Sequence, residues 1–337
     1  MNKLKDIESM RVIAMILVVF AHVTRMYTSN AAIPQGVTDS FITALTEWIY
    51  TFHMPAFVAI SGAVYYFVKR ERKAYNNTLI FIRNKAARLL IPYIFFAIVV
   101  VLPTLYYCNL IEGNFWNYNF NTFVLVKNPR HLWYLIMLFN LLVLINFCEK
   151  YIFKYKMIVL LLTLLIHPFA GYFPIKIFQF SNVISYSLYF MIGYCFQHKR
   201  KNIIDYLSRM NKPLIFTMLI LLMSVIYSMY YMFKISYVLV SLSCSILGIL
   251  LLYIVSIMFS QRDKNTNNIL FKLIDKNNFG LYLFHPMIIY VIFYNIKDLN
   301  IHPWVSILFV FISSLIISIA LTKLMRAIGL KKFIGEK

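Results

Sequence analysis

Glu8-Ser-Met-Arg11-Val-Ile-Ala-Met-Ile-Leu-Val-Val-Phe-Ala-His22 places a guanidinium and an imidazole inside a run that is otherwise apolar. A charge near the centre of a bilayer costs roughly 2.5–3.5 kcal/mol on insertion scales. Such a residue faces the protein interior and marks a pathway or a reaction site. Arg11 and His22 are separated by about 20° beyond three full helical turns, so they share one face, about 16 Å apart along the axis. Met15 and Val18 lie between them on that stripe. Glu8, three residues before Arg11, is at a spacing that allows an ion pair. The bland reading is a snorkelling arginine and a hydrogen-bonded core histidine.

The rest of the chain has the same character. Of 337 residues 61% are hydrophobic, and the mean hydropathy is +0.72, well above a soluble domain. Apolar runs repeat at about 9–27, 47–68, 89–107, 132–148, 157–170, 183–196, 213–233, 236–259, 278–296 and 304–326. A span needs roughly 17–25 such residues. The expectation is therefore an all-α polytopic membrane protein with about ten transmembrane helices, forming one integral-membrane domain over 1–337. The fifth and sixth runs are short and flank His167-Pro168 and Gly171-Tyr-Phe-Pro174, so they also suit a re-entrant pair. The first helix reads as retained, because Glu8 and Arg11 interrupt the apolar core that a signal peptide requires.

The formal net charge of +21 would suggest nucleic acid in a soluble protein. Here it is better read as topology charge facing anionic lipid, with no nucleic-acid partner. With the N-terminus inside, Arg25, Lys127, Arg130, Lys176, Lys234 and Lys297 fall outside, and the other 27 of the 33 Lys and Arg fall inside. Both termini are thus expected in the cytoplasm. The four cysteines form no CxxC pair and read as small buried hydrophobes, and no metal site is expected.

Two further windows place polar chemistry at membrane depth. His53 in Phe52-His53-Met54-Pro55 lies two turns in from the outer end of the second run, near the depth of His22. Pro55 frees a backbone carbonyl there, and Ser61-Gly62 permits close helix approach. His285-Pro286, in Gly280-Leu-Tyr282-Leu-Phe-His285-Pro286, is near mid-membrane. At the inner edge Lys85 and Arg88, at i,i+3, suit a phosphate-rich ligand from the cytoplasm, although positive-inside charge is the simpler reading. His131 and Trp133 open the fourth run, where Trp133 also suits an interfacial belt.

Taken in order, these windows resemble the membrane acyltransferase-3 family, in its sugar and polysaccharide O-acetylase branch. The elements that carry the resemblance are Arg11 with His22, Phe52-His53-Met54-Pro55 through Ser61-Gly62, Lys85-Ala-Ala-Arg88, His131-Leu-Trp133-Tyr-Leu, and Tyr282-Leu-Phe-His285. Lys85 and Asn278 stand where the family commonly has arginine and serine. The resemblance implies ten spans and transfer of an acyl group, most often acetyl, from cytoplasmic acyl-CoA (acetyl-CoA) to a hydroxyl of an extracytoplasmic or lipid-linked glycan at the plasma membrane. On that expectation His22, Arg11 and His53 are catalytic, His22 as general base and His53 orienting the acceptor or stabilising the oxyanion. Arg11, Lys85 and Arg88 hold the donor, and Trp133, Tyr282 and His285 line the acceptor site. The alternatives are a membrane exporter of a polysaccharide or lipid-linked sugar, or a non-catalytic partner of a glycan synthase.

Overall fold

The computed structural model describes residues 4–75, 77–173, 175–233, 236–261 and 268–336. Lys3, Lys234, Arg262, Lys264 and Lys337, which entered the charge count, and Pro174 lie outside the described residues. The described residues are mostly helical, with no strand among them.

The chain opens with α1 (Lys5–Thr24) and α2 (Ser40–Tyr66). Next comes α3 (Thr78–Phe96), which continues through a π turn at Ala97–Val101 into α4 (Leu102–Tyr107). A short α5 (Phe115–Asn119) lies in the outer loop before α6 (Trp133–Lys154) and α7 (Lys156–Ile166). Then follow α8 (Phe180–His198), α9 (Arg200–Ser208), α10 (Lys212–Phe233), α11 (Tyr237–Ser260), α12 (Ile269–Ile296) and α13 (Pro303–Ala327). Among the described residues, eight helices are long and apolar enough to cross a membrane. The protein is therefore a multi-pass membrane protein.

The other two expected spans are α7 and α8. The α7 helix has 11 residues and runs on through a 3-10 segment, His167–Tyr172; together they reach about 28 Å. The 19 residues of α8 also reach about 28 Å, but its serines, Asn182 and Gln197 lower its hydropathy. It tolerates them because it packs inside the bundle, against α2, α6 and α7. The contact with α2 is close for a specific reason. A Cβ on Gly62 would come within 2.1 Å of the Phe190 carbonyl, and one on Gly193 within 1.8 Å of the Ala59 carbonyl. The small-residue approach expected at Ser61-Gly62 thus has its partner on α8.

The α1 helix is central and touches α2, α11, α12 and α13. One apolar cluster contains buried residues from Leu4 to Ile334. The two ends of the bundle are distinct. At one end Arg200 holds Asp6 through two contacts of 2.6 and 2.9 Å, Arg70 meets Glu149 at 2.6 Å, and Gln197 donates to Glu71 at 2.8 Å. Arg326 holds Glu336 at 2.6 Å at the same end. This end carries both termini and the basic loops assigned to the cytoplasm. At the other, Tyr107 donates to Asn295 and Asn109 to Tyr294, at 2.9 and 2.8 Å.

Two expectations are corrected. Arg11 pairs with Asp275 of α12 at 2.6 Å rather than with Glu8, because the cationic face of α1 is turned toward α12. Cys108 and Cys244 are buried, but Cys148 is exposed and Cys195 half-buried; α6 and α8 present those positions at the edge of the packing.

Candidate functional site

A cavity of about 300 Å³ opens at the charge-rich end of the bundle, within the size range of ligand pockets. The stripe anticipated on α1 forms one wall, with Arg11, Met15 and Val18 all lining it. Lys85 and Arg88 of α3 line the same space, as do Ser61 of α2, Tyr134 of α6 and Tyr282 of α12. Arg11 keeps its Asp275 contact but leaves its Nε buried without a partner. Among the described residues no carboxylate is within 4 Å of Lys85 or Arg88. Lys85 instead faces aromatic rings, 5.5 Å from the Phe81 centroid and 6.0 Å from that of Tyr75. The mouth therefore combines several cations with two carboxylates, Asp275 and Glu336, and aromatic faces.

The C-terminal segment completes the wall with Ile334, Gly335 and Glu336. Gly335 has φ +68°, and a Cβ there would lie 2.7 Å from the Phe279 ring and 2.9 Å from the Arg88 carbonyl. Only glycine permits that approach. Arg326 fixes the segment by gripping Glu336 while also donating to the Asn277 side chain at 2.5 Å and the Lys276 carbonyl at 2.8 Å.

The cavity ends at Val18, one turn (about 5.4 Å) below His22. His22 Nδ1 is 2.9 Å from the Val18 carbonyl. His53 Nδ1 is 2.9 Å from the Ile49 carbonyl, and His285 Nδ1 is 2.7 Å from the Leu281 carbonyl. A carbonyl only accepts, so in each neutral ring Nδ1 carries the hydrogen and Nε2 the lone pair. The three rings converge. His22 is 5.1 Å from His285 and 6.4 Å from His53, centroid to centroid, with Tyr50 packed 4.7 Å from His53. The Nε2 of His22 and His53 makes no hydrogen bond among the described residues, and that of His285 is buried without one. His131 has the opposite tautomer, donating from Nε2 to the Leu283 carbonyl at 3.1 Å. His22 is half-buried, whereas His53 and His285 are fully buried.

Proline builds part of this geometry. Pro55 cannot donate to the Thr51 carbonyl, and Ser245 of α11 supplies the missing donor at 2.5 Å. Pro286 and Pro92 likewise leave the Tyr282 and Arg88 carbonyls without their helical donors, both beside the cavity.

Three site expectations change. Trp133 does not line the cavity; it packs against Tyr186, 5.2 Å between centroids. The next residue, Tyr134, takes that place, since successive helical side chains point about 100° apart. The Tyr134 hydroxyl lies 3.2 Å from Ser61 Oγ, and this pair is the polar group near the inner end of the space. Tyr282 does line the cavity, with its hydroxyl donating to the His131 carbonyl. His285 sits outside the cavity wall, against His22. His53, with its one ring hydrogen committed to Ile49, is an acceptor and cannot donate to an oxyanion while neutral. Sequence reading missed Asp275, Tyr134, Tyr75 and the C-terminal wall. Only Tyr134 had a local signal, as the neighbour of Trp133.

The class the fold and site define is a multi-pass membrane bundle with a cationic cavity at its charge-rich end beneath a cluster of imidazoles. The family described as an acyltransferase domain matches residues 4–323, nearly the whole chain, and the chain belongs to that acyltransferase-3 family. No curated protein and no solved structure matches it.

Proposed function

We propose that this acyltransferase moves an acyl group, most often acetyl, from cytoplasmic acyl-CoA to a hydroxyl of an extracytoplasmic or lipid-linked glycan, at the plasma membrane. The observation that carries the reading is the cavity that opens beside Arg11, Lys85 and Arg88 and runs along the α1 face to the turn beneath His22. Lys85 and Arg88 have phosphate-binding chemistry, and Tyr75 and Phe81 give aromatic faces for a nucleobase. The pantetheine arm passes Ser61 and Tyr134, follows Met15 and Val18, which are apolar, and brings the thioester toward the turn beneath His22.

His22 acts as the base. Its Nε2 lone pair accepts the proton of the acceptor hydroxyl as that oxygen attacks the thioester carbonyl. The tetrahedral intermediate collapses with loss of the CoA thiolate, which receives the proton from His22. Such a base contributes typically about 10²–10⁴ in rate. Hydroxyl donors aimed at the developing oxyanion act more strongly in a dry site; Tyr134 and Ser61, about 12 Å along α2 from His53, hold the pantetheine arm instead. His53 orients the acceptor by accepting from a neighbouring hydroxyl of the sugar.

Mass and NMR analysis of surface glycans from a deletion strain tests this reading. The expected result is a normal quantity of polymer that lacks an O-acyl group. Loss of the polymer itself from the outside favours export instead, and unchanged acylation refutes the enzyme.

A further inference from the structure

Arg25 stands one turn beyond His22 on the outer side, at the start of a 3-10 turn. Its guanidinium does not run straight out to the membrane surface. It lies over the Tyr50 ring, 5.0 Å from the centroid. Tyr50 in turn is 5.8 Å from His22 and 4.7 Å from His53. Arg25 is also within electrostatic reach of both imidazoles. A second cation approaches from the outer loop. Arg130 donates to the Tyr118 hydroxyl at 3.2 Å and the Leu110 carbonyl at 3.4 Å, while its Nε is buried without a partner. Both arginines lie within electrostatic reach of Tyr290 of α12.

Arg25 therefore flanks the outer side of the imidazole cluster, and Arg130 approaches the same side from the outer loop. Among the described residues no carboxylate is within 4 Å of either. Arg25 is exposed and Arg130 half-buried, so both are open to a ligand arriving from outside. The Tyr50 hydroxyl is within reach of the Arg25 guanidinium, whereas Arg130 Nε is a buried donor without a partner. Unsatisfied donors of this kind are costly unless a ligand meets them. A planar guanidinium matches a carboxylate or phosphate through two parallel hydrogen bonds. The scarcity of outer cations sharpens the point, since only six Lys and Arg fall on that side by the charge count and two of them gather here.

We propose that Arg25, Arg130, Tyr50 and Tyr290 form an outer acceptor subsite for an anionic sugar, one bearing a carboxylate or phosphate near the hydroxyl to be acylated. This rests on the acyl-transfer reading and specifies its acceptor. The anionic group lies on Arg25 and Arg130, the sugar ring against Tyr50, and the reacting hydroxyl at His22 Nε2.

The test uses the full chain in phosphatidylcholine nanodiscs, with binding of methyl β-glucuronide, glucose 1-phosphate and methyl β-glucoside measured by calorimetry. Both charged probes should bind at least about tenfold more tightly than the neutral one, since a charge-assisted bond contributes more than 1.4 kcal/mol. Arg25→Gln should remove the preference and Arg25→Lys should retain most of it, which separates lost charge from lost folding. Equal affinities, no binding of any probe, or a preference that survives Arg25→Gln and Arg130→Gln together overturns the subsite. A gain in thermal stability with phosphatidylglycerol in the nanodisc, and no sugar bound, assigns the cations to a lipid headgroup and overturns it as well. Acyl-CoA binding is measured on the same samples. If the charged probes bind but acyl-CoA does not, the acyl-transfer reading fails instead of the subsite.

Discussion

Replacing Lys85 and Arg88 with glutamine removes two cations that line the cavity with no carboxylate within 4 Å among the described residues. Arg11 remains, but part of its charge is already met by Asp275 at 2.6 Å. A hydrogen bond to a charged group contributes about 1.5–3 kcal/mol. Arg88 is exposed and Lys85 half-buried, so solvent screening reduces both, and about 1.5–3 kcal/mol for the pair is the reasonable total. At 1.4 kcal/mol per factor of ten, the KM for acyl-CoA should rise about 10–100-fold. The maximal rate should change much less, because neither side chain is near His22. The assay is transfer from radiolabelled acyl-CoA in purified membranes, corrected for protein level. A donor lacking the 3′-phosphate adds a second readout, since the parent should lose affinity for it and the double variant should lose less. An unchanged KM in the double variant, or an equal loss of affinity for both donors, refutes the placement of the donor phosphates.

Other parts of the structure make independent predictions. Gly193→Ala should prevent accumulation in the membrane, because the new methyl group would stand 1.8 Å from a backbone oxygen on α2; normal protein level on an immunoblot contradicts that packing. Ser245→Ala strands the Thr51 carbonyl that Pro55 leaves free and should cost about 1–3 kcal/mol, read as a lower thermal midpoint in detergent. An unchanged midpoint means the carbonyl has another donor. Sidedness is checked with impermeant maleimide on intact cells: Asn114→Cys in the outer loop should label and Asp205→Cys on α9 should not, and the reverse pattern inverts the topology.

Much of the fold was legible because burial of charge in lipid leaves few choices. Eight apolar runs became eight long helices, and the periodicity of Arg11, Met15 and Val18 anticipated the cavity wall. Contacts between distant positions were not legible. Asp275 is 264 residues from Arg11, and nothing in local spacing singles it out over Glu8. Trp133 was favoured over Tyr134 because the rotation of α6 about its own axis is set by packing against α8, which the sequence does not display. The tautomers of the imidazoles were equally hidden. They follow from the position of each ring over the carbonyl four residues back, and they turn His53 from an oxyanion donor into an acceptor. The C-terminal wall escaped notice because Ile334, Gly335 and Glu336 follow the last apolar run and resemble an ordinary basic tail.

The central claim is that the Nε2 lone pair of His22 takes the proton of the acceptor. Single-turnover transfer by nanodisc-embedded protein saturated with acyl-CoA, comparing the parent with His22→Gln, measures this most directly. Glutamine keeps an acceptor oxygen near that position but removes the base. The predicted result is a fall in rate of about 10²-fold or more, with acyl-CoA still bound; a rate near that of the parent would contradict it.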